Sequence, residues 1–129
     1  MDRSAVQDWL DAYVRAWQTY DREDISALFG VNASYSFGPF GEPVVGRDRI
    51  VESWMEDRDA PGTWEAHYEP VAVDGDLAVT NGRSTYFEDD TRTTVARRYD
   101  NVYVIRFDGD GRCIEFREWY MRDPATGAD

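Results

Sequence analysis

One carboxylate in the last third of the chain lies where an apolar side chain is expected. Residues 99–107 and 112–120 alternate polar and apolar side chains, and the loop-forming sequence Asp108-Gly109-Asp110-Gly111 separates them. This pattern predicts a β-hairpin with a four-residue loop. Because side chains alternate between the two faces of a strand, Glu118 is predicted on the apolar face, in line with Ile114, Phe116 and Tyr120.

Glu118 on an apolar face has two interpretations. A carboxylate there costs desolvation free energy unless it is paired, so it is either a satisfied structural ion pair (or a residue near the wet end of the strand) or a functional group. In the functional interpretation, burial raises its pKa towards neutrality. A carboxyl with such a pKa suits general acid or general base catalysis.

Further polar side chains are predicted to converge on Glu118. With a four-residue loop, Asn101 lies opposite Glu118, Tyr103 opposite Phe116, and Ile105 opposite Ile114. In the preceding strand, Arg83 shares a face with Leu77 and Phe87, whose apolar side chains are expected to point inward. Arg83 beside Glu118 would lower the pKa of the glutamate and oppose burial. A bidentate pair would favour a structural role, or an anchor for a substrate carbonyl or carboxylate.

Aromatic side chains are the remaining candidates. Tyrosine hydroxyls can stabilise a substrate oxyanion, although their rings can equally fill a core. Tyr35 and Tyr103 are the preferred donors, and Trp17 and Trp54 are predicted walls. His67 is the one histidine, and its strand shows no clear inner face. The predicted catalytic residues are Glu118, Arg83 and Tyr35, and the predicted substrate-binding residues are Trp17, Trp54, His67, Tyr99, Asn101, Tyr103 and Phe116.

Hydrophobic periodicity predicts the elements that position these residues. Apolar spacing from Val6 to Trp17 indicates a helix that Ser4 could cap, followed by a short helix over 25–29 capped by Asp24. A third helix opens at 46–48 and is capped by Asp48 or a residue just before it. Strands are predicted over 33–37, 64–73 and 77–87, before the hairpin. Helices followed by a meander predict an α+β fold, in which three helices pack on the concave face of a strongly curved antiparallel sheet. Such a cone can hold a ligand.

Composition narrows the functional classes. With 129 residues the chain is predicted to be one domain, 1–129, with a frayed tail at 124–129. A net charge of −12 argues against nucleic acids and anionic membranes. All 14 basic residues are arginine, so no side chain can form a Schiff base. One cysteine and one histidine predict no metal site, and no cofactor motif is present. The chain begins without a leader pattern, so a cytoplasmic location is expected.

Five segments carry a resemblance to the nuclear transport factor 2-like superfamily, in its SnoaL-like branch. They are 20–25 between the first helices, 46–50 at the third helix, 73–79 at a strand turn, 104–112 in the hairpin, and 117–120 in the last strand. The resemblance implies the cone fold and frequent homodimers. It also covers polyketide cyclases, ketosteroid isomerase-like enzymes, scytalone dehydratases and limonene epoxide hydrolases, so it does not choose a reaction.

The epoxide hydrolase motif is incomplete in this chain. The water-holding asparagine of that branch is Phe37 here, and the acid of its middle strand is Thr85, so epoxide hydrolysis is not predicted. The first hypothesis is an acid–base enzyme, a cyclase, isomerase, dehydratase or hydrolase acting on a small hydrophobic oxygenated molecule. The alternatives are a non-catalytic ligand-binding or dimerisation module with Glu118 locked to Arg83, or a cone filled by its own aromatic rings.

The outer face of the predicted sheet suggests a partner. Val102, Val104, Cys113 and Trp119 form an apolar stripe among charged residues on that face. A second copy of the chain is the simplest partner for such a stripe, so a homodimer is expected.

Overall fold

The computed structural model describes residues 1–126, which fold into three helices packed on one six-stranded sheet. The elements, in chain order, are α1 Arg3–Thr19, α2 Arg22–Ser26, β1 Phe29–Ser36, β2 Val44–Val45, α3 Arg47–Glu56, β3 Trp64–Asp74, β4 Leu77–Phe87, β5 Val95–Phe107 and β6 Cys113–Arg122. The fold is α+β, as predicted, with the helices leading and the long strands following.

The sheet is mixed rather than purely antiparallel, which corrects the prediction. Its strand order is β2-β1-β6-β5-β4-β3, and β3 to β6 form an antiparallel meander. β1, however, runs parallel to β6. A parallel pair needs a long connection between its strands, and here α3 and four strands, β2 to β5, provide it. β6 therefore lies in the middle of the sheet, with β1 on one side and β5 on the other.

The observed caps lie two or three residues before Ser4, Asp24 and Asp48. Asp2 caps α1 by accepting a hydrogen bond from the Ala5 amide at 2.8 Å, so Ser4 lies inside the first turn. The cap of α2 is Asp21, which accepts from the amides of residues 23 and 24, and Asp24 is helical. Gly46 occupies the cap position of α3 with φ of 102°, a conformation that glycine adopts readily. In each case the cap residue has non-helical backbone angles.

The inner face of β4 is opposite to the predicted one. Ala78, Thr80 and Ser84 are buried, whereas Arg83 points to the outer face. The reason is close packing: Gly82 lies opposite Tyr68, and a Cβ atom at Gly82 would overlap the backbone of β3. From Ala78 to Ser84, small side chains therefore occupy the inner positions of β4 and leave the space above them to large rings.

A bulge changes the register of the β5–β6 hairpin. Ile105 pairs with Phe116 and Tyr103 with Glu118, so the register is shifted by two residues from the predicted one. The shift lies near Phe107, which pairs with Cys113, and Ile114 is the extra residue. Cys113 therefore turns into the core and is fully buried, which corrects its predicted place on the outer face.

Part of the predicted tail is folded. Residues 124–126 form a turn after β6, and the Thr126 hydroxyl accepts a hydrogen bond from the Arg98 amide at 3.0 Å. The Arg98 carbonyl accepts in turn from the Asp123 amide at 2.8 Å. Of the tail predicted at 124–129, residues 124–126 are described with these contacts, and residues 127–129 lie outside the described residues.

Candidate functional site

A cavity of about 230 Å³ lies between the helices and the inner face of the sheet. Aromatic side chains make up most of its wall: Tyr13, Trp17, Tyr20, Tyr35, Phe37, Trp54, Tyr68, Tyr86 and Tyr103. The polar lining residues are Ser53, Asp57, Asp59, Ser84, Asn101 and Glu118. An apolar concave site with a few polar groups is the usual form of a small-molecule site, and this one is below the common range of about 300–1,000 Å³.

Glu118 enters the cavity from β6 and is held by a short hydrogen-bond chain. The Asn101 side-chain amide donates to its Oε2 at 2.8 Å. The Ser84 hydroxyl donates to the side-chain oxygen Oδ1 of Asn101 at 2.9 Å, which fixes the orientation of that side-chain amide. Alternation along three neighbouring strands, β4, β5 and β6, places these three side chains on the same face.

Burial raises the pKa of Glu118 from its ordinary value of 4.5 to about 7, and the Asn101 hydrogen bond only partly opposes this effect. No arginine, lysine or histidine in residues 1–126 lines the cavity to pair with it. The protonated and ionised forms of the carboxyl are therefore both populated near neutral pH, the condition that suits a proton-transfer group.

Tyrosine side chains from five elements, α1, β1, β3, β4 and β5, surround Glu118. Tyr13 and Tyr35 share a buried hydrogen bond of 2.8 Å between their hydroxyls. Burial, the largest cause, raises the pKa values of Tyr13, Tyr35 and Tyr103 well above the usual value, and the negative charge of Glu118 adds to the effect. These hydroxyls are therefore neutral donors at physiological pH.

Tyr68 also lines the cavity, and its hydroxyl is fully buried. Its residue is only 1% exposed, and its hydroxyl has no hydrogen-bond partner within residues 1–126. Burial raises the pKa of this hydroxyl too, while the nearby hydroxyls of Tyr103 and Ser84 lower it. A buried polar group without a partner is unusual in folded proteins. A ligand in the cavity could supply that partner.

The rim of the cavity is built by α1 and the segment that follows α3. The indole nitrogen of Trp17 donates to Oδ2 of Asp59 at 2.8 Å, and the Tyr20 hydroxyl donates to the same oxygen at 3.4 Å. The Asp59 amide donates back to the Tyr20 hydroxyl at 2.8 Å. Tyr20 reaches this position because it ends α1 with φ of 48°. These contacts hold Asp59 at the edge of the aromatic wall.

Six of the predicted site residues line the cavity. They are Glu118, Tyr35, Trp17, Trp54, Asn101 and Tyr103. The chemical roles assigned to them remain predictions, since their placement by itself does not demonstrate a reaction.

Arg83 and His67 are placed elsewhere, which corrects their predicted position. The Arg83 side chain is 70% exposed on the outer face and pairs with Asp100 at 3.4 Å. His67 is exposed and lies opposite Arg83 in the β3–β4 ladder. Both errors have one cause, which is that the inner face of β4 is opposite to the predicted one. His67 pairs with Arg83, and paired residues on neighbouring strands lie on the same side of the sheet. Arg83 therefore cannot lock Glu118.

Tyr99 and Phe116 point inward but do not line the cavity. Phe116 is fully buried, with its ring stacked on Tyr35 at 4.3 Å between centroids, so it supports the wall from behind. Tyr99 lies further along β5, with its ring edge-on to Tyr86 and Tyr120. Position along the strand, rather than the choice of face, separates these two residues from the cavity.

Several lining residues were not predicted. Tyr68 and Ser84 follow from strand alternation once the inner faces of β3 and β4 are known, so a signal for them exists. Tyr20, Asp57 and Asp59 lie in loops or at helix ends, where no periodicity indicates direction. The described part of the chain contains no group of three or more His, Cys, Asp or Glu side chains placed to hold a metal ion. Across residues 1–126, no helix is both long enough and apolar enough to span a membrane.

The fold and the cavity define a class of protein, an α+β cone with a mixed sheet and an aromatic-lined pocket. The SnoaL-like domain family matches residues 10–116, and the chain belongs to that family. No curated protein matches the sequence.

Solved structures share the fold at low identity. An NTF-2 like protein of unknown function from Burkholderia xenovorans LB400 has a TM-score of 0.69 at 16% identity, covering 97% of this chain and 88% of its own. A provisionally assigned ketosteroid isomerase from Kribbella flavida DSM 17836 has a TM-score of 0.70 at 16% identity, covering 99% and 86%. A LEH-like epoxide hydrolase from M. tuberculosis has a TM-score of 0.67 at 16% identity, covering 92% and 84%. At this identity the likeness concerns the fold alone.

Proposed function

We propose that this protein is a small-molecule enzyme in which Glu118 transfers a proton to and from a hydrophobic, oxygenated substrate. The observation that carries the proposal is a carboxyl group in an aromatic cavity, held by an amide rather than a cation, with its pKa raised to about 7. Isomerisation, cyclisation and dehydration all contain such a proton transfer. The likeness to structures described as an isomerase and an epoxide hydrolase is compatible with acid–base chemistry in this fold.

The simplest reaction for this site is proton abstraction next to a carbonyl group. The ionised Glu118 takes the proton from the α-carbon, and the electron pair of that C–H bond moves to the carbonyl oxygen as an enolate. Neutral tyrosine hydroxyls near Glu118 can donate hydrogen bonds to this oxygen. Glu118 then returns its proton to carbon, so that the carboxylate is regenerated. The Asn101 amide keeps the carboxylate in one orientation throughout.

Exchange of α-protons for deuterium tests the proposal without knowledge of the natural substrate. Small apolar ketones such as 1-indanone and cyclohexanone are incubated with the protein in D₂O, and loss of the α-proton signal is followed by NMR. We expect Glu118→Gln to slow exchange by at least ~100-fold, a typical contribution of a positioned acid or base. The matched control is Glu115→Gln, the same change on the same strand at a position that does not line the cavity.

Two results would contradict the proposal. Equal exchange by wild type and Glu118→Gln would remove Glu118 from the reaction. Ketones that bind in the cavity without exchange would favour the alternative function, a non-catalytic ligand-binding module. That alternative no longer includes an ion pair between Arg83 and Glu118, because Arg83 pairs with Asp100 on the outer face.

A further inference from the structure

The charged side chains on the cavity wall all have one sign. Asp57, Asp59 and Glu118 line the cavity, and none of the described residues on the wall is basic. The rest of the wall is mainly tyrosine and tryptophan. Aromatic ring faces carry negative charge density and attract cations within about 6 Å of the ring centre. Carboxylates and ring faces in one cavity therefore favour the same kind of guest.

We propose that the cavity binds an organic cation, a small apolar molecule that carries an ammonium group. The ammonium group lies at the rim, between the Asp59 carboxylate and the rings of Trp17, Tyr20 and Tyr86. This inference rests on the proposed function, since it names the class of substrate that the same cavity takes.

The rim carboxylate is held in place before any ligand arrives. The Trp17 indole and the Tyr20 hydroxyl both donate to Oδ2 of Asp59, so the carboxylate is fixed beside the rings of the two donors. A preformed site avoids the cost of ordering flexible side chains on binding. Trp17 also stacks on Trp64 at 3.6 Å between centroids, which fixes its ring plane.

Two rim tyrosines already attract cations from outside the wall. The Arg97 guanidinium lies 4.2 Å from the centre of the Tyr86 ring, and that of Arg58 lies 5.9 Å from the centre of the Tyr20 ring. Neither arginine lines the cavity. Both distances lie within the range of cation–π contacts.

The inner end of the cavity offers a polar contact for the other end of the ligand. The buried Tyr68 hydroxyl lines the cavity and has no partner within residues 1–126. It can donate to an oxygen atom of a ligand, which relieves the cost of leaving a buried hydroxyl unpaired. The best ligand is thus an ammonium ion whose apolar body ends in a carbonyl or hydroxyl group.

Cation binding should be linked to the protonation of Glu118. A positive charge in the cavity favours the ionised carboxylate, so affinity should increase as the pH rises through the titration of Glu118. The titratable groups that face Glu118 are Tyr13 from α1, Tyr35 from β1, Tyr68 from β3, Tyr86 from β4 and Tyr103 from β5. Burial raises the pKa of all five, so they stay neutral and leave the linkage to Glu118.

A pair of matched probes tests the proposal. Phenyltrimethylammonium and tert-butylbenzene have the same shape and differ by one positive charge, and the permanent charge removes titration of the ligand itself. Binding is measured by NMR shifts of the Trp17 indole proton in ~0.15 M salt, which screens charges more than about 8 Å away. We expect the cation to bind about tenfold more tightly, the effect of one partly desolvated cation–π contact.

Variants locate the effect in the cavity. Asp59→Asn keeps an oxygen that can accept from Trp17, and we expect it to remove most of the preference for the cation. Asp57→Asn, at an exposed position, is the second variant if Asp59→Asn unfolds. Glu69→Gln, exposed and away from the wall, is the control for net charge and should leave the preference unchanged. Glu118→Gln should abolish the rise in affinity between pH 6 and pH 8.

The outcomes separate this inference from the proposed function. Equal or tighter binding of tert-butylbenzene overturns the cation inference and leaves the acid–base proposal standing. Preference for the cation, in a protein that exchanges no α-protons, supports the inference and contradicts the catalytic proposal. A preference that Glu69→Gln reduces as much as Asp59→Asn does would assign it to overall charge and refute the inference.

Discussion

Replacing Glu118 by glutamine should stabilise the protein at alkaline pH relative to the wild type. Glutamine has nearly the same shape as glutamate, and its carbonyl oxygen can still accept the hydrogen bond from Asn101. The substitution therefore removes one titration and leaves most of the local packing intact. Any pH-dependent difference in stability between the two proteins then belongs to the Glu118 carboxyl.

The sign and size of the effect follow from the pKa of Glu118. Folding raises it from an ordinary 4.5 to about 7, so between these pH values the folded state holds more protons than the unfolded state. The free energy of unfolding of the wild type therefore falls as the pH rises through this window, and the loss is complete above pH 7. The full difference corresponds to ~3 kcal/mol, most of it between pH 5 and 8.

Urea unfolding at pH 5, 6.5 and 8, followed by tryptophan fluorescence, measures this difference. We expect the stability of Glu118→Gln minus that of the wild type to grow by ~2 kcal/mol from pH 5 to pH 8. Glu115→Gln should show a flat difference. A flat or falling difference for Glu118→Gln would refute the buried, unpaired state of the carboxyl and, with it, the basis of the proposed acid–base role.

Three further predictions concern packing, the pKa of the carboxyl, and assembly. Gly82→Ala should cost at least ~2 kcal/mol in chemical denaturation because its Cβ would overlap the β3 backbone, whereas Gly38→Ala, in open space, should be nearly neutral. Asn101→Ala should raise the pKa of Glu118 further, since the lost hydrogen bond lowers it; ¹³C NMR titration would show no change if the bond is absent. The wild type should sediment as a dimer at micromolar concentration and Trp119→Glu as a monomer; a monomeric wild type would remove the outer sheet face as an interface.

Much of the fold follows from local patterns in the sequence. The apolar spacing of α1 and the alternation of the last strands are strong because one face of each element is buried and the other is wet. The placement of Glu118 came from this alternation alone. The predicted placement of Glu118 is correct despite the bulge at Ile114. Phe116 and Glu118 both lie beyond the bulge, so they still share one face of β6.

The rest depends on contacts between distant parts of the chain. Arg83 was expected inside because Leu77 and Phe87 are larger than Ala78 and Gly82, but large rings from other elements need small residues beneath them. The parallel pairing of β1 with β6 joins strands separated by most of the chain, and no local pattern encodes it. Asp59 reaches the cavity through hydrogen bonds to a helix end, which sequence periodicity cannot reveal.

The burial of Cys113 gives the protein a built-in reporter of its own unfolding. It is the single cysteine of the chain, it is fully buried, and burial raises the pKa of its thiol. Its amide donates to the Leu28 carbonyl at 2.8 Å, so the thiol is reached only when the centre of the sheet opens. Thiolate is the reactive form towards alkylating reagents, so the native state should resist them. The rate of labelling by a thiol reagent then measures how often the folded sheet opens, with no engineered probe.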